Sequence, residues 1–277
     1  MEIIELLKAL ILGFVEGMTE FAPVSSTGHM IIVDDMWLNT KEFLSDASAN
    51  TFKIVVQLGS ILAVVVVMWK RILNILGFNN MKGQPTSMKG RFNLLHVIIG
   101  MLPASAIGFI LNDFIDEHLF KVEHVIIALV AGALLMIAAD KLAPKKPKID
   151  SLDEISYGLA FKVGLVQCLS LWPGFSRSGA TISGGVLFGI SHRVAADFTF
   201  IMAVPIMAGA SLVSVLSNFG ELSMDDIGFY AVGFVSSFIF ALISIKFFLA
   251  LISKVKLMPF AIYRLVLAAV LSVIIFM

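Results

Sequence analysis

The 277-residue chain is 58% hydrophobic and only 14% charged, with no net charge and a mean hydropathy of +0.96. A soluble domain carries about 25% charged residues, so too few are present to wet a surface of this size, and the composition points to a bilayer as solvent. Zero net charge without a basic stripe excludes a general nucleic-acid binder, and a single cysteine, Cys168, excludes an internal disulfide.

From Met1-Glu2 the chain passes into apolar sequence without a basic n-region or a small-residue cleavage site, so no removable signal peptide is expected. The first apolar stretch, 3–33, breaks at Pro23-Val24-Ser25-Ser26-Thr27-Gly28. Segments 52–69, 94–112 and 122–140 follow, each close to the roughly 20 apolar residues that a spanning helix needs. A second interrupted stretch, 156–190, breaks at Pro173-Gly174-Phe175-Ser176-Arg177-Ser178-Gly179, and segments 195–217, 227–252 and 259–276 complete the chain. Each half of an interrupted stretch is too short for a comfortable span, and broken helices at membrane depth are tolerated only where protein or a wet cavity shelters the free backbone. The expected fold is an all-α polytopic membrane protein with six full transmembrane helices and two re-entrant helix–loop–helix hairpins.

Loop charges fit this map. The 70–93 loop carries Lys70, Arg71, Lys82, Lys89 and Arg91; the 141–154 loop carries Lys141, Lys145, Lys146 and Lys148; the 253–258 loop carries Lys254 and Lys256. The other loops are acidic: Asp34, Asp35, Glu42 and Asp46; then Asp113, Asp116, Glu117 and Glu123; then Glu221, Asp225 and Asp226. Basic loops belong in the cytoplasm, which puts both termini outside.

The interrupted stretches match without gaps at an offset of 151: Gly13-Phe-Val-Glu16 over Gly164-Leu-Val-Gln167, Phe21 over Trp172, Ser25 over Ser176, Thr27 over Ser178 and Gly28 over Gly179. One membrane domain, 1–277, is therefore expected to hold two repeats, 1–142 and 155–277. Three crossings per half invert the second repeat, and inverted repeats with discontinuous helices place the working site near the midplane.

The chemistry sits at the breaks. Glu16 and Glu20 project from one face of an apolar helix, where two carboxylates repel unless a cation or a shared proton lies between them; a divalent metal held by both is the economical reading. Gly13 and Gly17 let that helix approach a neighbour closely. Ser25, Ser26 and Thr27 can cap the next half-helix, whose start suits phosphate, and His29 stands beside them as a catalytic candidate. Arg177 offers a planar fork to phosphate, or else an ion pair with Glu16 or Glu20. Gln57 and Asp197 are candidates to line the cavity; Lys246 and Arg264 are expected to snorkel or pair structurally.

The runs Glu16-Gly-Met-Thr-Glu20-Phe-Ala-Pro-Val-Ser-Ser-Thr-Gly-His29 and Pro173-Gly-Phe-Ser-Arg-Ser-Gly-Ala-Thr181 resemble the two signature motifs of the bacterial undecaprenyl-diphosphate phosphatases, the bacitracin-resistance family. The resemblance extends over the whole chain, through Gln57-Leu-Gly-Ser-Ile-Leu-Ala-Val and Pro259-Phe-Ala-Ile-Tyr-Arg264; Ala22 stands where the family commonly has a bulkier residue. It implies hydrolysis of undecaprenyl diphosphate to undecaprenyl phosphate and inorganic phosphate, recycling of the peptidoglycan lipid carrier, bacitracin tolerance, residence in the bacterial cytoplasmic (inner) membrane, and a need for Mg²⁺ or Ca²⁺. It also implies functional positions at Glu16, Glu20, Ser26, His29 and Arg177. The expected catalytic set is then Ser26, His29, Glu20 and Glu16, with Glu16 and Glu20 as metal ligands. Arg177, Ser25, Thr27, Ser176, Ser178, Thr181 and Gln57 are expected to bind substrate.

Ser26 is the candidate nucleophile with His29 or Glu20 as base; in the competing version that base activates water and Ser26 only binds. Partners expected are the lipid substrate and membrane lipids, with a homodimer as one option. The rival function is a transporter or flippase for the same polyprenyl phosphate, since inverted repeats with broken helices are also transporter architecture.

Overall fold

The computed structural model describes residues 2–78, 92–217 and 224–276. Lys82, Lys89, Arg91 and Glu221 lie outside the described residues, as do the side chains of Asp46 and Asp116. Among the described residues the fold is all-helical, with one isolated parallel bridge between Ile149 and Ile190.

In chain order the helices are α1 (Ile3–Thr19), α2 (Ser26–Met30), α3 (Asp46–Val67), α4 (Trp69–Ile75), α5 (Leu94–Ile110), α6 (Asn112–His118), α7 (Val122–Leu142), α8 (Tyr157–Gln167), α9 (Arg177–Leu187), α10 (His192–Ser217), α11 (Ile227–Val255) and α12 (Met258–Phe276). The helix begun by α2 widens to π geometry over Ile31–Leu38 and stops at Asn39, which is left-handed. α8 tightens into a 3₁₀ turn over Cys168–Leu171 before the second break.

Among the described residues, five helices are long and apolar enough to cross a membrane: Ala47–Val67, Val122–Leu142, His192–Val213, Ile227–Val255 and Met258–Phe276. The predicted span 94–112 is shorter than expected, because Leu111 (φ −103°, ψ 12°) leaves helical geometry and ends α5 after 17 residues. Large apolar side chains stand on the outside, with Phe109 86% and Ile110 76% exposed. A surface this greasy is compatible with lipid and not with water, so the chain is a multi-pass membrane protein.

The two halves interlock. α1 packs along α11, while α8 packs along α5. Gly13 and Gly17 make the first contact: an added Cβ would stand 2.5 Å from the Gly233 carbonyl oxygen and 2.5 Å from that of Ser237. Ser236 and Ser244 of α11 donate back to the carbonyls of Leu10 at 2.7 Å and Met18 at 2.9 Å. Small residues and interhelical hydroxyls replace the hydrophobic drive that is missing between helices in lipid. This contact fixes the height of the first break. Phe21 anchors the break itself, fully buried and edge-on to Phe200 of α10 at 5.1 Å.

Candidate active site

Both breaks are built the same way. Ser25 (φ 71°, ψ 97°) precedes α2, and Ser176 (φ 73°, ψ 116°) precedes α9. Each hydroxyl accepts the amide three residues on, from Gly28 at 3.4 Å and from Gly179 at 3.2 Å. Positive φ at a non-glycine residue costs about 1–3 kcal/mol and persists only where surrounding structure over-determines it.

The breaks also touch. Ser178 Oγ donates to the Ala22 carbonyl at 3.1 Å, and Arg177 Nη2 donates to Glu20 Oε1 at 2.8 Å. The other carboxylate oxygen, Glu20 Oε2, accepts from Ser26 Oγ at 2.6 Å. A single carboxylate thus joins a guanidinium from one break to a hydroxyl from the other. Arg177 Nη1 is buried without a partner. A cavity of about 160 Å³ opens here, lined by Glu20, Ser26, Thr27, Gln57, Ser176 and Arg177, with Ser25 also on its wall.

A second cavity of about 290 Å³ adjoins it, sharing Ser26, Thr27 and Gln57 and lined further by Glu16, Asp34 and Lys53. Glu16 is 4% exposed and its Oε1 has no partner. A buried carboxylate oxygen without a partner is expensive while charged, so Glu16 calls for a proton or for a cation beyond Lys53 on the same wall. The donor set fits a cation: Glu16 has free oxygen capacity, and Mg²⁺ or Ca²⁺ takes oxygen ligands. Among the described residues no group of three or more His, Cys, Asp or Glu gathers into a complete cage. An ion here would need water or substrate oxygens to finish its shell.

Not every predicted site residue reaches the cavity. His29 is held elsewhere: Nδ1–H donates to the Ser25 carbonyl at 2.8 Å, and Nε2 accepts from the Tyr263 hydroxyl at 2.6 Å. Thr181 is fully buried and returns its hydroxyl to the Arg177 carbonyl at 2.7 Å. Ser178 serves as the bridge to Ala22. Asp197 lies away from the cavity, paired with Arg193 at 3.4 Å beside Trp69 and Arg71.

Of the two expectations for Arg264, snorkelling fails and structural pairing holds, with backbone carbonyls in place of an acid. The side chain is fully buried and donates to the carbonyls of Gly174 at 3.0 Å and Ala128 at 3.3 Å. Gly132 makes room for it: an added Cβ would collide with the guanidinium and stand 2.6 Å from the Phe175 carbonyl oxygen. Arg264 therefore clamps the backbone that leads into Ser176 and Arg177. Its signal was a lone cation in a 19-residue apolar helix with no acidic residue along it.

The family model for bacitracin resistance protein BacA matches residues 9–270. The chain belongs to that family. It is 66% identical over 278 residues to the undecaprenyl-diphosphatase of Exiguobacterium sibiricum, covering 100% of both chains. It is 60% identical to the protein of the same name from Geobacillus sp. strain WCH70, again over 100% of both. With the undecaprenyl-diphosphatase of Bacillus subtilis strain 168 it shares 54% identity across 98% of each chain.

Proposed function

We propose that this chain is an undecaprenyl-diphosphatase, which hydrolyses undecaprenyl diphosphate to undecaprenyl phosphate and inorganic phosphate. It thereby returns the lipid carrier to peptidoglycan synthesis and protects the cell from bacitracin. The observation that carries the reading is the Arg177–Glu20–Ser26 chain of hydrogen bonds at the wall of one polar cavity, in a family whose relatives bear that enzyme's name.

The mechanism follows from those contacts. The terminal phosphate enters the cavity and is met by the free Nη1 of Arg177, with Ser176, Thr27 and Gln57 as further donors. Arg177 turns its fork from Glu20 to phosphate oxygens, and phosphate takes over the neutralising role of the carboxylate. Glu20 stays hydrogen-bonded to Ser26 and accepts its proton. Ser26 Oγ forms a bond to the terminal phosphorus as the bond to the bridging oxygen breaks, and that electron pair leaves on undecaprenyl phosphate. Glu20 gives that proton to the departing undecaprenyl phosphate; it then takes a proton from the water that attacks the phosphoserine and returns it to Ser26 Oγ as inorganic phosphate leaves. Glu20 is assigned as base because His29 has both nitrogens engaged outside the cavity.

A divalent cation, Mg²⁺ or Ca²⁺, would be held by Glu16, with Glu20 joining once Arg177 has moved to phosphate. When bound it supplies charge neutralisation at the phosphate oxygens, which is most of what phosphoryl transfer requires.

Membrane placement completes the reading. α5 at 17 residues is long enough, at about 1.5 Å per residue, to cross a thin hydrocarbon core. Six crossings and two re-entrant hairpins, α1–α2 and α8–α9, then arrange two inverted repeats in the inner membrane. The reciprocal packing of α1 on α11 and α8 on α5 supports that arrangement. The Glu16 cavity reaches Asp34 and Asp35, so the site opens on the acidic, outward side.

The test is phosphate release from purified protein in lipid, given undecaprenyl diphosphate. Turnover abolished by Ser26→Ala supports the reading. Binding without release would leave the transport function instead.

A further inference from the structure

A third cavity lies at the far end of α7. Val122, at the start of that helix, lines the outward cavity, whereas Asp140 and Lys141 line this one. The helix between them puts the two roughly 27 Å apart. The far cavity has a volume of about 470 Å³, and Lys141, Lys145, Lys256, His192 and Arg193 face it together.

Its floor is built rigidly. The Asp140 side chain is 6% exposed. Its Oδ2 accepts the amides of Leu257 and Met258 at 2.9 and 2.8 Å, and its Oδ1 binds His192 Nε2 at 2.7 Å. The wall is pinned by Lys148 and Ile149 amides donating to the Gly189 carbonyl at 2.8 and 3.1 Å, and by Ser191 donating to the Ile149 carbonyl at 2.8 Å.

The charge is unbalanced. Asp140 is satisfied within the fold, and Arg193 is engaged by Asp197 and the Leu249 carbonyl. Lys141, Lys145 and Lys256 form no ion pair with any described residue. Asp150 is the one other carboxylate on the wall. Lys256 is moreover held at φ 59°, ψ −148°, a conformation essentially reserved for glycine.

We infer that this cavity binds a phosphate anion at the membrane face opposite the hydrolytic site, using Lys141, Lys145 and Lys256, which line it beside the Asp140–His192 pair. The anion is either the headgroup of a phosphate-bearing lipid or free inorganic phosphate. Three ammonium groups each strengthen anion binding several-fold at a membrane surface.

The test compares the full chain with Lys141→Gln/Lys145→Gln/Lys256→Gln in phosphatidylcholine nanodiscs. One arm includes a minor fraction of phosphatidic acid, and the other is titrated with inorganic phosphate; ³¹P NMR reads binding in both. The inference expects the triple variant to lose on the order of 100-fold in affinity, while hydrolysis of undecaprenyl diphosphate stays at the wild-type rate. A response to phosphatidic acid alone identifies a headgroup; a response to inorganic phosphate as well identifies the free anion. Equal responses from wild type and variant in both arms overturn the inference. Should the triple variant unfold, Lys256→Gly decides: it relieves the backbone and raises Tm, yet must weaken phosphate binding about fivefold, and unchanged binding overturns the idea. Hydrolysis is read separately in the same samples, so the two readings fail independently.

Discussion

Ser25 and Ser176 adopt the same left-handed conformation and cap their helices in the same way, although they lie 151 residues apart. Each break puts a functional side chain immediately after its strained serine: Ser26 in the first, Arg177 in the second. The strain sets where the following helix starts, and so aims both side chains at one cavity. Ser176→Ala removes the cap but keeps the strained φ, and should lower stability by about 1 kcal/mol. Ser176→Gly loses the cap but relaxes the backbone, and should leave stability unchanged or higher. Thermal unfolding of both variants in nanodiscs checks the order; a less stable Gly variant would refute it.

Arg177→Lys keeps the charge and removes the fork. With Glu20 and the phosphate both needing planar donors, kcat/KM should fall on the order of 10²–10³. Steady-state phosphate release measures it, and near-normal turnover would discredit the clamp.

Glu20→Gln removes the acceptor for the Ser26 proton and the partner of Arg177 together. A loss of about 10²–10⁴ in kcat is expected, with the Ser26 phosphoenzyme undetectable by rapid quench. Glu16→Gln should behave differently: its main effect is a shift of the Mg²⁺ or Ca²⁺ titration to higher concentration, since Glu16 contributes the unpaired buried oxygen. An unchanged metal titration would remove Glu16 as a ligand.

Arg264→Met leaves the Gly174 carbonyl buried without this donor, at about 1–3 kcal/mol, and removes the extra bond that the Ala128 carbonyl accepts beside its helical one. Stability and kcat should fall together, because the backbone feeding Arg177 loosens. Gly132→Ala should do the same from the other side by crowding the guanidinium. Wild-type kcat in either variant would show that the clamp does not position the site.

Much of this was legible in the residue pattern, because the relevant signals are local. Apolar runs of the right length mark spans, and the offset of 151 marks Ser25 against Ser176. Glu16 and Glu20 on one helix face, and Arg177 at the start of the next half-helix, need only helical periodicity. What escaped depends on contacts between distant segments. The choice of Glu20 over His29 beside Ser26 turns on Tyr263, 234 residues from His29, which engages the imidazole. Arg264 read as a cation that snorkels or pairs structurally, and its partners stayed hidden because a periodic pattern does not reveal that Gly132, on another helix, leaves a slot for it. Asp197 read as a candidate to line the cavity because its helix is apolar, yet Arg193 one turn away holds it elsewhere. α5 ends at Leu111, where the apolar run meets Asn112-Asp113, so its end was legible as well.

The central claim is that the two breaks act as one hydrolytic unit through Glu20 and Arg177. A double-mutant cycle on phosphate release tests it most directly, using Glu20→Gln, Arg177→Lys and the double variant in the same bilayer. Groups that act as a unit are strongly non-additive, so each single change should cost about 100-fold or more and the double variant should be scarcely worse than the poorer single. Losses that multiply would contradict the account, because the two residues would then be working at separate places.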